Sequence, residues 1–393
     1  MNEVTDKKLR IAVLNRTFSP SAGGAERYSI ALVEALAATH EIHVFAQSIE
    51  HTWPGVRYYR ISMPLRRPRW MNQLWFATAT WWATRRGFDV VHSHENTWHG
   101  AVQTVHVLPV KHNLFHGRTG WRRALRWLKV ISSPRLLVYL GLEHLRYAPQ
   151  PGRAVVVTSP SLLAIFKACY PRAATMTRVI TPGIELPAAD NAASKQQARQ
   201  QLGLPPDAFC LLFVGNDLRK KGLQTLLQAL QVLPEGPRQV VLAVVGKSAQ
   251  LPQFRQQVQD VGLNASVFFL GALNNVGPAY VAADCLAHPT LEDTFAMVVL
   301  EAMGHGLPVV VSSAQYCGIS GLLQDGQDAL ILANPRDASA LAAMLANLAS
   351  DPALAARLGT AARSFASGFQ WQALAAQQAL LYDAAAAVGR RAP

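Results

Sequence analysis

The chain has 393 residues, half of them hydrophobic, with 37 Lys and Arg against 24 Asp and Glu. That length fits two domains of ordinary size, and no apolar run reaches the roughly 18–20 residues that span a bilayer. The first ten residues carry charge and no apolar stretch, which predicts no secretory leader, and the four cysteines (Cys169, Cys210, Cys285, Cys317) lack any Cys-x-x-Cys spacing, which predicts reduced, buried thiols in a cytoplasmic protein.

The charge is uneven. Residues 1–185 hold 24 basic against 10 acidic residues, and residues 186–393 hold 13 against 14. The first half is therefore built to meet something anionic.

Residues 9–15 read as a first, central strand. Ser21-Ala22-Gly23-Gly24-Ala25-Glu26-Arg27 follows and leads into a helix to about residue 39. Glycines between a strand and a helix let backbone amides approach a pyrophosphate closely, although turns are rich in glycine and this loop is neither Gly-x-Gly-x-x-Gly nor a Walker loop. A second strand is predicted at 41–46. Residues 51–88 contain no acid but seven arginines (Arg57, Arg60, Arg66, Arg67, Arg69, Arg85, Arg86), interleaved with Trp53, Trp70, Trp75, Trp81 and Trp82. Residues 96–142 again lack acids and gather Lys111, Arg118, Arg122, Arg123, Arg126, Lys129 and Arg135 around Trp121 and Trp127. Such stretches suit an anionic membrane surface or a nucleic acid; a solvated arginine-rich face over core tryptophans is the plainer reading. No helix-turn-helix, RRM or zinc signature is present, so the membrane surface is the expected partner and nucleic acid is not.

Strands are predicted at 89–93, ending in His92-Ser93-His94, and at 101–107, containing His106. Another follows at 154–158, with a helix at 161–170. Pro182 and Gly183 break the pattern, placing a domain boundary near Glu185. The second half repeats strand and helix: strands at 209–214, 240–246 and 267–270, and a helix at 223–232. Between the first of these strands and its helix lies Gly215-Asn216-Asp217-Leu218-Arg219-Lys220-Lys221-Gly222, whose three adjacent cations need solvent or an anion. This alternation predicts a second parallel, doubly wound sheet.

The stretch 288–311 reads as loop, helix and buried strand. Asp293 stands just before the predicted helix 296–303 and Glu301 near its end. The helix start offers the N–H groups of Phe295, Ala296 and Met297 to a phosphate, and a carboxylate can clamp a sugar diol. A capping Asp and a solvated Glu would explain the same letters. After 312–332, helices are predicted at 338–349, 351–367 and 371–387.

Asp293-x7-Glu301 followed by Ala302-Met303-Gly304-His305-Gly306-Leu307-Pro308-Val309-Val310 resembles the donor-binding motif of retaining GT-B glycosyltransferases of family 4. The resemblance implies that Glu301 holds the donor ribose and Asp293 the sugar. It implies that Gly23 and Gly24, in Gly-Gly-x-Glu, face the donor diphosphate. His106 matches a histidine near the donor sugar and the acceptor hydroxyl, where an imidazole can bond a hydroxyl and tune charge near neutral pH. Lys221 matches the lysine that neutralises the leaving diphosphate. The motif's arginine position is Asn216 here, with Arg219 or Lys220 as substitutes. His106, Lys221 and Asp293 are thus the expected catalytic residues. Gly23, Gly24, Arg219, Lys220, Lys221, Asp293, Phe295, Ala296, Met297 and Glu301 are the expected donor site.

The implied architecture is α/β, with two doubly wound Rossmann-like domains facing a central cleft. Residues 1–185 would form an acceptor-binding domain and 186–370 a nucleotide-sugar-binding domain, with 371–393 a helix crossing back to the first. The sequence has no Asp-x-Asp pair, so no metal or cofactor is expected; Lys221, its neighbours and backbone amides would stabilise the leaving group. The expected reaction moves a hexose, glucose from UDP-glucose by preference, to an anionic, lipid-linked saccharide such as lipopolysaccharide core. The enzyme would work peripherally on the inner face of the membrane. A sugar-nucleotide epimerase of the same fold would need its own acid and base pair, and a non-catalytic basic adaptor would have no use for Lys221 and Glu301. A nicotinamide oxidoreductase is disfavoured because neither glycine turn fits the dinucleotide fingerprint.

Overall fold

Runs such as Arg10–Leu14 and Phe209–Val214 carry apolar residues on both alternating faces, as strands covered by helices on both sides require. The computed structural model describes residues 8–20, 22–188 and 191–389; Ser21 of the glycine loop lies outside the described residues. They form two units, one running to Pro182 and resuming at Trp371, the other Gly183–Gln370.

In the first unit β1 (Arg10–Leu14), a short β2 (Thr17–Phe18) and α1 (Gly24–Leu36) are followed by β3 (Glu41–Ala46), β4 (Ser48–Ile49) and β5 (Arg57–Arg60). Next come α2 (Arg69–Thr84), β6 (Val90–Ser93), β7 (Val102–Val105), α3 (Val110–Phe115), α4 (Gly120–Ile131) and α5 (Pro134–Arg146). β8 (Ala154–Val157), α6 (Pro160–Cys169) and β9 (Thr177–Val179) complete the run. The sheet order is β5-β3-β1-β6-β7-β8-β9, all parallel. Ile11 stands opposite both Ile42 and Val90, so β1 is an interior strand, beside the middle strand β6.

The second unit holds α7 (Ala192–Leu202), β10 (Phe209–Val214), α8 (Leu223–Gln231), β11 (Val240–Val245), α9 (Leu251–Asp260) and β12 (Val267–Gly271). It continues with α10 (Gly277–Ala282), β13 (Cys285–His288), α11 (Met297–Gly304), β14 (Val309–Ser312), β15 (Leu330–Leu332), α12 (Ala338–Ser350) and α13 (Pro352–Ser367). Its sheet order is β12-β11-β10-β13-β14-β15, again parallel. Cys210 and Leu212 point into one apolar core and Leu211 and Phe213 into another, one on each face. The last helix, α14 (Trp371–Gly389), belongs to the first unit and packs on α1. All four cysteines are free and buried.

Two doubly wound α/β sheets are thus present. In each, strand order reverses at one point, β1/β6 in the first unit and β10/β13 in the second. Open α/β sheets bind ligands just beyond the carboxyl ends of the strands at such points. The loops found there carry Gly23, His94, Lys221 and Asp293.

Candidate functional site

In the second unit the loops after β10 and β13 are tied together. The backbone N–H of Leu291 donates to the Lys220 carbonyl at 2.8 Å, and Thr290 Oγ1 donates to the same oxygen at 3.2 Å. Gly222, with φ of +86°, lets them close: a Cβ there would sit 1.9 Å from the Pro289 carbonyl oxygen. Only glycine combines that dihedral with that approach. Lys221 thereby reaches Asp293, and the two form an ion pair.

Asp293 is the most heavily bonded side chain of the site. Its Oδ1 accepts from the backbone N–H of Phe295 (3.3 Å) and Ala296 (2.9 Å), and its Oδ2 faces Lys221 and His288 Nε2 (3.4 Å). Burial alone would raise its pKa; the His288 hydrogen bond and the Lys221 charge outweigh burial and hold the carboxyl well below the usual range. The expectation of open amides at the helix start is therefore corrected at Phe295 and Ala296, whose N–H groups are occupied by this carboxylate. The helix also starts one residue late, at Met297, because Ala296 takes φ of 73°. Among the described residues it is the non-glycine with positive φ. Such strain in a ligand-facing loop is a common mark of a functional site.

Glu301 lies on the second turn of α11, half-buried, and accepts from Tyr280 Oη at 2.7 Å through Oε2. Tyr280 in turn stacks on His305, with ring centroids 5.2 Å apart. The other two cations diverge from Lys221. Lys220 pairs with Glu292 at 2.6 Å on the surface, and Arg219 donates to Gln253 Oε1 at 2.7 Å. Asn216, at the motif's arginine position, accepts from the Lys247 N–H at 2.9 Å.

In the first unit Gly23 precedes α1 and Gly24 begins it. One turn further on, buried Tyr28 packs edge-on against His106, with centroids 5.0 Å apart. His106 Nε2 lies 2.8 Å from His94 Nδ1. His92, two residues back on the same strand face, stacks 4.2 Å from His94 and is held by Thr104 Oγ1 and Tyr382 Oη, each at 2.7 Å. Beneath them the buried Arg146 donates to Gln103 Oε1 (2.9 Å) and the Thr104 carbonyl (2.6 Å). Burial, then the Arg146 charge, push the His106 pKa down to about 3. The expectation that His106 tunes charge near neutral pH is corrected: it is a neutral imidazole there. His92 is likewise driven to about 3 by burial and by the neighbouring His106 and Arg146.

Sequence reasoning missed Tyr280, His288, Arg146, Tyr28 and Tyr382. His288 ends a strand that leads into the motif, which is the signal available for it. The pairing of Tyr382 with His92 spans 290 residues and leaves no local trace. Among the described residues no cluster of three or more His, Cys, Asp or Glu could hold a metal ion.

The family model for glycosyl transferases group 1 matches residues 194–365, and that for glycosyltransferase family 4 matches residues 22–187. D-inositol 3-phosphate glycosyltransferase of Streptomyces avermitilis is 27% identical, over 98% of this chain and 89% of its own length. The lipopolysaccharide glucosyltransferase WaaG of Escherichia coli K12 is 26% identical over 50% of this chain and 53% of its own. A crystal structure of WaaG superposes with a TM-score of 0.81 at 21% identity, covering 94% of this chain and 98% of the other. That of Anabaena HepE in complex with UDP-glucose gives 0.73 at 20% identity, covering 94% and 98%.

Proposed function

Since the chain belongs to the group 1, family 4 glycosyltransferases of GT-B fold, we propose that it transfers glucose from UDP-glucose to an anionic, lipid-linked saccharide at the membrane surface, with retention at the anomeric carbon. The observation that carries the reading is the pairing of Lys221 with half-buried Asp293 at the strand-order reversal, with Glu301 on the helix that follows. When a diphosphate enters, Lys221 is the cation able to leave a carboxylate for a phosphate, and the amides of Phe295 and Ala296 are freed if Asp293 turns to the sugar hydroxyls. Positive charge then stands where negative charge develops on the leaving UDP, without a metal. Glu301, oriented by Tyr280, clamps the ribose diol. His106 donates or accepts as a neutral hydrogen-bonding group. Arg219 and Lys220, engaged elsewhere, supply long-range attraction. UDP-glucose is favoured because Anabaena HepE, of the same fold, is seen in complex with it.

The acceptor and membrane reading rests on α4. Trp121 (69% exposed), Leu125, Leu128 (63%) and Ile131 (64%) share one exposed stripe, flanked by Arg122, Arg123, Arg126 and Lys129. Nearby in sequence, Trp82 is exposed with the Arg85 guanidinium 3.6 Å above its ring. An apolar stripe beside cations lies down at an anionic lipid interface. No described helix is long and apolar enough to cross a membrane.

The test is UDP release from UDP-glucose by wild type and Glu301→Ala, with thermal shift against UDP-, GDP- and ADP-sugars. A shift with UDP-glucose that vanishes in the variant supports the donor assignment; a shift with another nucleotide overturns it. Flotation with phosphatidylglycerol vesicles, compared with phosphatidylcholine and with Leu128→Glu, tests the surface. Equal recovery with both lipids, or no effect of the substitution, overturns the membrane assignment.

A further inference from the structure

We propose that His94 is a positioning residue that fixes His106 as the neutral tautomer carrying its proton on Nδ1. The proposal rests on the proposed role of His106 as a neutral hydrogen-bonding group, and concerns how the fold chooses its proton. Only one proton can lie between His94 Nδ1 and His106 Nε2, 2.8 Å apart. If His106 donated it, His94 would have to carry its own proton on Nε2. That nitrogen is buried and has no hydrogen-bond partner. An orphaned buried N–H is rarer and costlier than an orphaned lone pair. The low-cost arrangement therefore has His94 Nδ1–H donating to the His106 Nε2 lone pair, which leaves the His106 proton on Nδ1.

A doubly protonated ring is disfavoured on geometry as well. The His92, His94 and His106 rings stand together, with centroids 4.2 Å and 5.2 Å apart, and the buried Arg146 cation is anchored on the Gln103 side chain and the Thr104 carbonyl of the adjoining strand. The His94 ring cannot easily turn to swap its nitrogens. It lies against His92, itself held at both nitrogens by Thr104 and Tyr382, and against Tyr28 at 5.9 Å. Tyr382 comes from α14, so the C-terminal helix clamps the ring that packs on His94. The His106 ring then has a polarity that its neighbours set and the histidine itself does not.

The experiment is a long-range 1H–15N correlation spectrum of the full chain labelled with 15N-histidine, with the two rings assigned by their loss in His94→Asn and His106→Gln. Both rings are expected with a protonated Nδ1 and a bare Nε2. A His106 ring protonated on Nε2 overturns the proposal. In turnover, His94→Leu is expected to lower kcat about tenfold with KM for UDP-glucose unchanged, the loss of one hydrogen bond at the reacting end. His94→Asn, whose amide N–H replaces the donor, is expected to restore most of it; equal loss in Asn and Leu variants overturns the positioning role. If His94→Leu does not fold, the wild-type spectrum still decides the tautomer. Full activity in His106→Gln would overturn the functional reading of His106 and leave the tautomer result standing.

Discussion

Lowering the pH from 7 to 5.5 is expected to destabilise the first unit by at least about 2.5 kcal/mol. In the fold His92 and His106 are held neutral, with pKa values near 3 caused chiefly by burial, against an ordinary value of 6.5. A folded pKa lowered below the unfolded one means the unfolded chain binds protons first. Stability is therefore full above about 6.5 and falls with pH between 6.5 and 3. Over pH 7 to 5.5 each imidazole contributes a loss of about 1.3 kcal/mol, and the two losses add because the unfolded chain titrates them independently. His94 and His99 are shifted in the same direction, again mainly by burial, and add to the loss. Half-buried Glu26 acts the other way, since its partial desolvation raises its pKa and lets the fold take a proton first, but it is one group against four. All nine tryptophans lie in the first unit, so urea unfolding followed by tryptophan emission reads that unit alone. His92→Gln, which keeps a partner for Tyr382, should remove about 1.3 kcal/mol of the pH effect. A free energy of unfolding that changes by less than about 0.5 kcal/mol over this range would refute the reasoning, because the rings would then be protonated or solvated in the fold.

Gly222→Ala should cost about 3 kcal/mol or more and abolish UDP binding, since its Cβ would meet the Pro289 carbonyl at 1.9 Å with φ of +86°; thermal unfolding by circular dichroism checks it, and a Tm within 2–3 °C of wild type, about 1 kcal/mol for a chain of this size, contradicts it. Lys221→Ala should lose about 2 kcal/mol, leaving Asp293 with only His288 and two amides, whereas Lys220→Ala should lose less than about 0.5 kcal/mol because its pair with Glu292 is exposed. Equal losses in urea unfolding would refute that contrast. Asp284 is partly buried, which would raise its pKa, but Lys195, the Cys210 N–H and Arg199 outweigh that desolvation and lower it. Its contribution is present above the unfolded value of 3.8 and lost as pH falls below it, so the second unit should weaken between pH 5 and 3, and Asp284→Asn should flatten that part of the curve.

Much of the architecture could be read from the chain because parallel sheets write themselves as repeated apolar runs separated by helices. The strands at Arg10–Leu14, Glu41–Ala46, Phe209–Val214 and Val240–Val245 all announce themselves in this way. Arg57–Arg60 does not. Its sequence, Arg-Tyr-Tyr-Arg, becomes an edge strand only because Tyr59 stacks on Phe45 at 4.7 Å, a contact made across the sheet. The helices α2, α4 and α5 were hidden for a related reason. Charge dominates their stretch, and the exposed apolar stripe of α4 shows as helical spacing only once Trp121, Leu125 and Leu128 are placed on one face.

Residue identity at the site was more legible than residue state. Spacing alone brings Asp293 before a helix and Glu301 near its end, and the adjacent cations in the loop after β10 mark a candidate anion site. Which of those cations matters is decided by Gly222 and Pro289, whose close approach turns Lys221 inward and leaves Lys220 on the surface. The same holds for charge. A histidine at a strand end reads as a titrating group until the fold stacks it on two more imidazoles above a buried arginine; it then becomes a neutral, directional donor or acceptor. Position along the chain follows from local pattern, but protonation follows from desolvation and from partners hundreds of residues away, as Tyr382 is from His92. The C-terminal helix therefore bears on the state of His92 and, through the packed rings, on His106, and truncating that helix should disturb His106 before it disturbs the second unit.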